Sequence, residues 1–254
     1  MVALALTVGG VVAAASDANP AGGFRDPLAL HGVPPTSTQL HVVLSSGPSV
    51  HVEGNVTIDF AANTAEAQLQ IPLFFSATSF DLRFLHHHLY AGSANLSSIV
   101  GKPWLALSTP DLSLHPLAVA MMRPDTALIT RFGSPTTTRN GASTTYSFTR
   151  HHVQPATTHR RPSSTGRSTV HLTLTVGPRH ELTGFSLSLT SPTSSQSIVV
   201  TVLSYNQPVS ILAPAPGAVR HVTLSQLQQL LGSTPLGGVL SLKNLAGLGQ
   251  LRLN

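Results

Sequence analysis

Alternation of apolar and polar residues between Ser49 and Ile71 is the feature that most limits the fold of this chain. In SVHVEGNVTIDF nearly every second residue is apolar, and AEAQLQI repeats the pattern after the turn-like AANT. Because neighbouring side chains of a strand point to opposite faces, each stretch predicts a strand with one buried and one solvated face. Together the two stretches predict an antiparallel hairpin.

The same pattern returns in the second half of the chain. STVHLTLTV (168–176) and ELTGFSLSLT (181–190) alternate on either side of a GPRH turn signal. QSIVVTVLSY (196–205) is more continuously apolar, so we predict that it is buried on both faces. Strands joined by short turns pair as antiparallel neighbours. The predicted fold class is therefore mainly β, with an antiparallel meander.

Helical signals are few. DLSLHPLAVAMMRPDTALITRF (111–132) is the central candidate, and Pro124 interrupts it. In TLSQLQQLLG (223–232), Thr223 and Gln226 stand three residues apart before a leucine-rich face, which predicts a capping box at a helix start. We therefore expect a few helices beside the sheet.

Composition excludes several functional classes. Only 9% of the residues are charged, and the net charge of +5 reflects scarce acids rather than clustered bases. This does not fit nucleic-acid binding, which needs a basic stripe with aromatic side chains to stack on bases. The chain has no cysteine, so disulfides, thiolate metal sites and a cysteine nucleophile are all excluded.

The ends of the chain differ from its middle. Residues 1–18 have the apolar run and small residues of a signal peptide, or of an N-terminal anchor. A linker rich in proline and glycine follows at 19–36, then a β-rich domain at 37–232 and a tail of leucine and glycine at 233–254. We therefore expect an exported protein of the cell envelope or extracellular space.

FLHHHLYAG holds three adjacent histidines. On one strand His86 and His88 would point to the same side, as two zinc ligands do, although thirteen histidines also produce such pairs by chance. The apolar face changes sides near Leu85, which predicts a bulge or a strand leaving the core, with Tyr90 and Trp104 flanking the next loop. Metal binding stays the minor alternative.

Catalytic motifs are missing. There is no G-x-S-x-G elbow, and GFSLS at Gly184 lies inside a strand pattern where a nucleophile turn cannot form. His180-Glu181 lacks the second histidine of a zinc protease motif. Most carboxylates that could form a glycosidase pair fall at outward strand positions. We expect a protein that is not an enzyme and needs no cofactor.

A basic segment runs from Arg150 to Arg167, RHHVQPATTHRRPSSTGR. Its arginines could contact an anionic membrane surface, and its histidines would add pH sensitivity. The alternative is a solvated loop between strands.

Several stretches occur in the order found in one family of envelope proteins. They are TSTQLHVVLSS, HVEGNVTIDF, AEAQLQIP, LRFLHHHLYAG with GKPWLALS, and VVTVLSYNQPVSILAPAPGAV. In this order, with Leu89-Tyr90 before Gly101–Trp104 and the late YNQPVSILAPAP, the chain resembles the LppX/LprAFG-like lipoproteins of the LolA-like group. The resemblance implies an incompletely closed antiparallel barrel, with helices over its concave face and an apolar cavity for acyl chains.

The resemblance also implies which residues line the cavity and where the protein is found. The expected location is the cell envelope of a high-GC Gram-positive bacterium, although the lipidated cysteine usual in this group is missing. We expect a carrier for a lipid or other amphiphile; the alternatives are an envelope interaction module with a filled core and a histidine-based metal protein. The residues implied to line the cavity are Val56, Ile58, Phe60, Leu69, Ile71, Phe84 and Trp104. If the protein is instead an interaction module, the same residues would fill a solid core.

Overall fold

The computed structural model describes residues 34–47, 50–73, 76–110, 112–115, 118, 134–153, 167–179, 181–223 and 225–226. Within them the chain forms one twelve-stranded sheet that curves as a half-barrel without closing. The predicted fold class, mainly β with an incompletely closed barrel, is confirmed. The predicted signal segment, most of the linker and the C-terminal tail lie outside the described residues.

The strands, as the structure bounds them, are β1 (Ser37–Ser46), β2 (Val50–Asp59), β3 (Thr64–Leu73), β4 (Ser76–Leu85), β5 (His88–Gly92), β6 (Trp104–Ser108), β7 (Thr136–Asn140), β8 (Ser143–Val153), β9 (Arg167–Val176), β10 (Leu182–Thr190), β11 (Ser195–Tyr205) and β12 (Val219–Val222). Their order across the sheet is β12-β6-β5-β4-β3-β2-β1-β11-β10-β9-β8-β7. The sheet therefore consists of two antiparallel meanders, β1 to β6 and β7 to β11, joined where β1 pairs with β11. Among the described strands, β12 alone pairs in parallel, with β6.

The predicted turns AANT and GPRH both join neighbouring strands, β2 to β3 and β9 to β10. In the first turn, Asp59 Oδ1 accepts a hydrogen bond from Ala62 N at 2.9 Å, and Asn63 has a positive φ of 53°. Short polar side chains favour such turns because they bond to nearby backbone and tolerate the left-handed region. Local sequence therefore accounts for these hairpins.

One face of the sheet, here called the inner face, carries the apolar residues of the alternation. Leu40, Val42, Ile58 and Phe84 are buried together there, with Leu114 packed against them. Other buried groups centre on Leu69 and Ile71 of β3, and on Phe148 and Leu172 of the second meander. The opposite, outer face carries the polar residues of the alternating strands β2 and β3. One-sided burial is thus the arrangement that the period of two predicts.

Helical segments lie against the inner face. Helix α1 (Leu96–Val100) packs Leu96 and Val100 against Leu105 and Val222. In the predicted central helix, His115 and Ala118 are helical, and Ala118 N donates to Leu114 O at 3.3 Å; most of that segment lies outside the described residues. None of the helices among the described residues is long and apolar enough to cross a membrane.

The predicted capping box at Thr223 is confirmed. Gln226 N donates to Thr223 Oγ1 at 3.3 Å, and Thr223 N donates to Gln226 Oε1 at 2.9 Å. Reciprocal bonds of this kind satisfy two of the free N–H groups at a helix start. Ser225 and Gln226 are helical, and the remainder of the predicted helix lies outside the described residues.

Two sequence predictions are wrong. Strand β11 is not buried on both faces, because Val199, at an outer position opposite Val43, is 41% exposed, and Leu203 is 56% exposed. The shift in the apolar face at Leu85 marks no bulge: Leu85 pairs with His88, and His86 and His87 form the two-residue turn between β4 and β5. These two histidines are exposed and do follow the end of a strand, β4. The apolar face changes sides there because the chain reverses.

A connection from β11 to β12, here called the crossover (residues 206–218), runs against the outer face of the first meander. It begins at Asn206, whose φ is 55° and whose Oδ1 accepts a hydrogen bond from Thr36 N at 2.9 Å. Farther along, Leu212 O accepts a hydrogen bond from Arg83 of β4. Leu85, on the outer face, is only 1% exposed. Part of the outer face is therefore a second, smaller buried surface.

Candidate functional site

The inner face brings together six of the seven residues predicted to line a cavity. Val56 packs against the cluster that holds Ile58, Phe60 and Phe84. Leu69 and Ile71 lie in the adjoining cluster around Val52. Asn63 Oδ1 accepts a hydrogen bond from Leu114 N at 2.9 Å and so fixes the start of the covering segment on this half of the face. Lipid contact by these six residues stays a prediction.

Trp104 instead lies on the outer face. It pairs with Gly92, and a Cβ on Gly92 would come within 2.8 Å of the indole ring, so the ring covers this glycine. Arg83 Cζ lies 4.9 Å from the indole centroid, a cation–π contact. The expected inward position of Trp104 is therefore corrected: Leu105, its neighbour in β6, takes the inner position.

The second meander extends the inner face beyond the predicted residues. Phe148, Leu172 and Leu174 are buried in one cluster, and Phe185, Leu187 and Tyr146 pack against it while partly exposed. The same alternation in β9 and β10 was visible in the sequence. This alternation could have assigned the apolar residues of β9 and β10 to the site. The sequence did not show that β1 pairs with β11, the pairing that makes the inner face continuous.

Inner-face residues of β11 join the two halves. Ile198, Val200 and Val202 are partly exposed and pack against the cluster of the first meander. Val200 also pairs with Val42 on one side and with Phe185 on the other. One apolar surface thus runs without a break from β4 through β1 and β11 to β8.

Tyr205 closes this surface at the end of β11. Its hydroxyl donates a hydrogen bond to Leu182 O at 2.6 Å. Burial, reinforced by the nearby negative charge of Glu181, raises the pKa of Tyr205 above the usual range of a phenol. The side chain is therefore a neutral hydrogen-bond donor at physiological pH and is suited to structure rather than to proton transfer.

The outer face holds a connected charged group, here called the outer cluster (Glu66, Arg83 and Trp104). Arg83 Nε lies 3.6 Å from Glu66 Oε2, and Arg83 Nη1 donates to Leu212 O at 2.7 Å. With the cation–π contact, the guanidinium thus joins two strands to the crossover. These contacts give the cluster a structural role, because they hold the crossover against the sheet.

Among the described residues, His86, His87 and His88 belong to no group of ligands that could hold a metal ion. His86 and His87 lie in a turn with φ of 49° and 62°, and His87 O accepts a hydrogen bond from Thr109 N at 2.7 Å. His88 faces His221 of β12 with ring centroids 5.9 Å apart. Across the described part of the chain, no group of three or more histidine or acidic residues could hold a metal ion. The assumption that His86 and His88 share one strand is wrong.

These features define the class: an open half-barrel sheet with one apolar inner face and one mainly polar outer face. No family model and no curated protein match the sequence. The structure is similar to that of lipoprotein LppX of Mycobacterium tuberculosis, at 14% sequence identity and a TM-score of 0.38, covering 69% of this chain and 90% of that one. It is also similar to an uncharacterized conserved protein of Thermus thermophilus, at 8% identity and a TM-score of 0.37, covering 73% and 91% respectively. These values describe a likeness and assign no function.

Proposed function

We propose that the protein is a non-enzymatic carrier or binding protein that holds a lipid or other amphiphile against its inner face. One observation carries the proposal: large apolar side chains of neighbouring strands stay partly exposed although they point to the same face as the core. These side chains are Tyr146, Phe185, Leu187, Ile198, Val200 and Val202. A folded protein without a partner for this face would leave such residues in contact with water.

Binding would be driven by removing apolar surface from water. Each buried methylene contributes about 0.8 kcal/mol, so one long acyl chain supplies most of the affinity without a specific polar contact. The first meander, with Ile58 and Phe84 at 2% exposure each, is already packed. We therefore place the ligand against β10 and β11, where the exposed part of the inner face lies.

The direct test is to purify the full chain, extract it with organic solvent and identify co-purified lipid by mass spectrometry. A fluorescent fatty acid should also bind and be displaced by unlabelled fatty acid. Substituting Leu187→Glu places a charge on the proposed surface and should weaken binding about tenfold or more. The matched control is Ser186→Glu, one residue away on the outer face, which should bind like the wild type. A folded protein without co-purified lipid and without displacement contradicts the proposal.

An interaction module of the cell envelope is the second candidate. The observation that favours it is that Val199, on the outer face, and Leu203 are both exposed on β11. Exposed apolar side chains mark a contact surface where they form one patch. A Val199→Ser/Leu203→Ser double variant that abolishes recovery of a cross-linked partner from envelope fractions, while lipid is never recovered, would favour this candidate.

We also propose export, on the apolar and small-residue pattern of residues 1–18, which lie outside the described residues. Contact with an anionic membrane through the segment from Arg150 to Arg167 is likewise a proposal, and residues 154–166 of it lie outside the described residues. Cell fractionation would test export. Flotation with anionic and neutral vesicles would test membrane contact.

A further inference from the structure

The crossover carries an exposed apolar run, residues 212–216, with the sequence LAPAP. Four of its five residues are exposed, and only Pro214 is buried. The Leu212 side chain is 70% exposed, more than Val199 and Leu203, the other large apolar residues on the surface of the described chain. Consecutive apolar residues in contact with water add nothing to the core, so an exposed run of this kind indicates a function.

Two hydrogen bonds hold this run on the surface. Arg83 Nη1 donates to Leu212 O at 2.7 Å, and Lys102 Nζ donates to Gly217 O, directly after the run. Both bonds use backbone oxygens, so they fix the backbone and leave the Leu212 side chain in solvent. Two prolines within the run restrict the backbone further. The run is therefore ordered before it meets a partner, which lowers the entropic cost of binding.

Two exposed cations lie beside the C-terminal end of the run. Lys102 reaches it through the bond to Gly217 O, and Arg220 follows it on β12, where its Nη1 donates to Val100 O at 3.1 Å. Each cation donates to an uncharged backbone oxygen, so these bonds neutralise neither charge. Both groups also keep further N–H donors for an anion.

Carboxylates are missing from the segments around these cations. Residues 88–110 and 206–226, which include β5, helix α1, β6, the crossover and β12, contain no Asp or Glu. Glu66 and Asp81 lie on β3 and β4, at least two strands from β6. The field beside the run is therefore positive and attracts an anionic surface.

An apolar run beside cations fits an anionic membrane better than a protein. A stable protein partner covers about 800 Å² of each chain, far more than five residues supply. A membrane needs less, because apolar side chains enter the boundary between head groups and acyl chains while cations contact anionic lipids. The run itself has no charged residue that would lose water on insertion.

We propose that the crossover docks the protein on an anionic membrane, with Leu212 entering the lipid and with Lys102 and Arg220 at the head groups. The proposal does not depend on the ligand of the inner face. This surface also differs from the basic segment that begins at Arg150 in β8 and ends at Arg167 in β9. In the docked orientation the outer face of the first meander faces the lipid, and the inner face stays free.

The first test uses the full chain and vesicles of phosphatidylcholine with phosphatidylglycerol. The wild type should float with these vesicles, and Leu212→Ser should bind them about tenfold or more weakly, because the burial of one leucine side chain is lost. The matched control is Leu203→Ser, which changes another exposed leucine, on β11, and should bind like the wild type.

The two cations are tested together. The Lys102→Gln/Arg220→Gln double variant keeps a hydrogen-bond donor at each position and removes both charges. It should bind the vesicles with phosphatidylglycerol about tenfold or more weakly than the wild type and match it on phosphatidylcholine alone. Equal affinity for the two kinds of vesicle in the wild type overturns the role of the charges.

A fluorescent reporter measures insertion directly. Since the chain has no cysteine, Leu212→Cys and Leu203→Cys each provide a single site for the environment-sensitive label NBD. NBD emission should rise and shift to the blue with anionic vesicles in Leu212→Cys and stay unchanged in Leu203→Cys, and this readout also serves if Leu212→Ser does not fold. The proposal is overturned if the wild type does not float, if folded Leu212→Ser floats like the wild type, or if both labels or neither respond.

Discussion

Tyr205 shows how a single side chain fixes the end of the inner face. Its ring belongs to the apolar cluster of the first meander, and its hydroxyl bonds to Leu182 O, where β10 of the second meander begins. One residue thus ties the two meanders together where β11 ends. The phenol must stay protonated to donate this bond, so its ionisation opposes the fold.

The Tyr205→Phe variant tests this coupling through pH. Because the pKa of Tyr205 is raised in the folded state, its contribution to stability is complete below the pKa of an exposed phenol, about 10, and is lost as the pH rises above it. The wild type should therefore lose stability between neutral pH and the alkaline range more steeply than Tyr205→Phe. Chemical denaturation at several pH values measures the two slopes. Equal slopes would contradict the assignment, whatever the cost of the lost hydrogen bond at neutral pH.

The histidine turn is the residue-scale feature that sequence reasoning misread. His86 and His87 both have positive φ, a conformation for which Asn-Gly is the usual sequence, so the turn signal was absent. The shift in apolar parity at Leu85 was the correct observation. It indicated a reversal of the chain, and a two-residue turn explains it more directly than a bulge.

At the scale of elements, the crossover depends on one guanidinium. Arg83 contacts Glu66, the ring of Trp104 and the backbone of Leu212, so it joins strands β3, β4 and β6 to the segment above them. Near the C-terminal end of the crossover, the Lys102 ammonium group donates a second hydrogen bond, to Gly217 O. Pro214, which lies between these two contacts, is buried, so this part of the crossover packs against the protein.

Arg83→Met should loosen the crossover while keeping much of the side-chain volume. We expect a loss of about 2 kcal/mol, from one charge-assisted hydrogen bond and one cation–π contact. Hydrogen exchange measured by mass spectrometry should show faster exchange in the peptide that covers the crossover. The control is Arg179→Met in the exposed β9–β10 turn, which should change stability by less than about 0.5 kcal/mol. Unchanged exchange in the crossover would show that Arg83 does not hold it.

Strands with strong apolar contrast were predictable, and others were not. β2, β3, β9 and β10 follow the alternation read from the sequence. β7 and β8 were not predicted because threonine and serine fill half of their positions, which weakens the contrast between faces. β12 has four residues and pairs in parallel with a distant strand, so no local pattern announces it.

At the scale of the whole molecule, the pairing of β1 with β11 decides what the protein can do. It joins two meanders, each with its own buried cluster, into one open sheet with one apolar face. The sequence predicted the faces of single strands but not this long-range pairing, because local alternation carries no information on distant partners. Six predicted lining residues lie on the inner face because local alternation fixed their face. The face of Trp104 depends on how β6 pairs with β5, which the sequence did not show, and it lies on the outer face.

The central claim is that an acyl chain lies against the inner face near β10 and β11. The only tryptophan, Trp104, is on the outer face, so it serves as a built-in control. Phe185→Trp combined with Trp104→Phe moves the fluorophore to the inner face, and bromine on an acyl chain quenches tryptophan at short range. Adding a brominated fatty acid should quench the double variant with a saturable dependence on concentration and leave the wild-type fluorescence unchanged. Quenching of Trp104 instead, or of neither tryptophan in folded protein, would contradict the account.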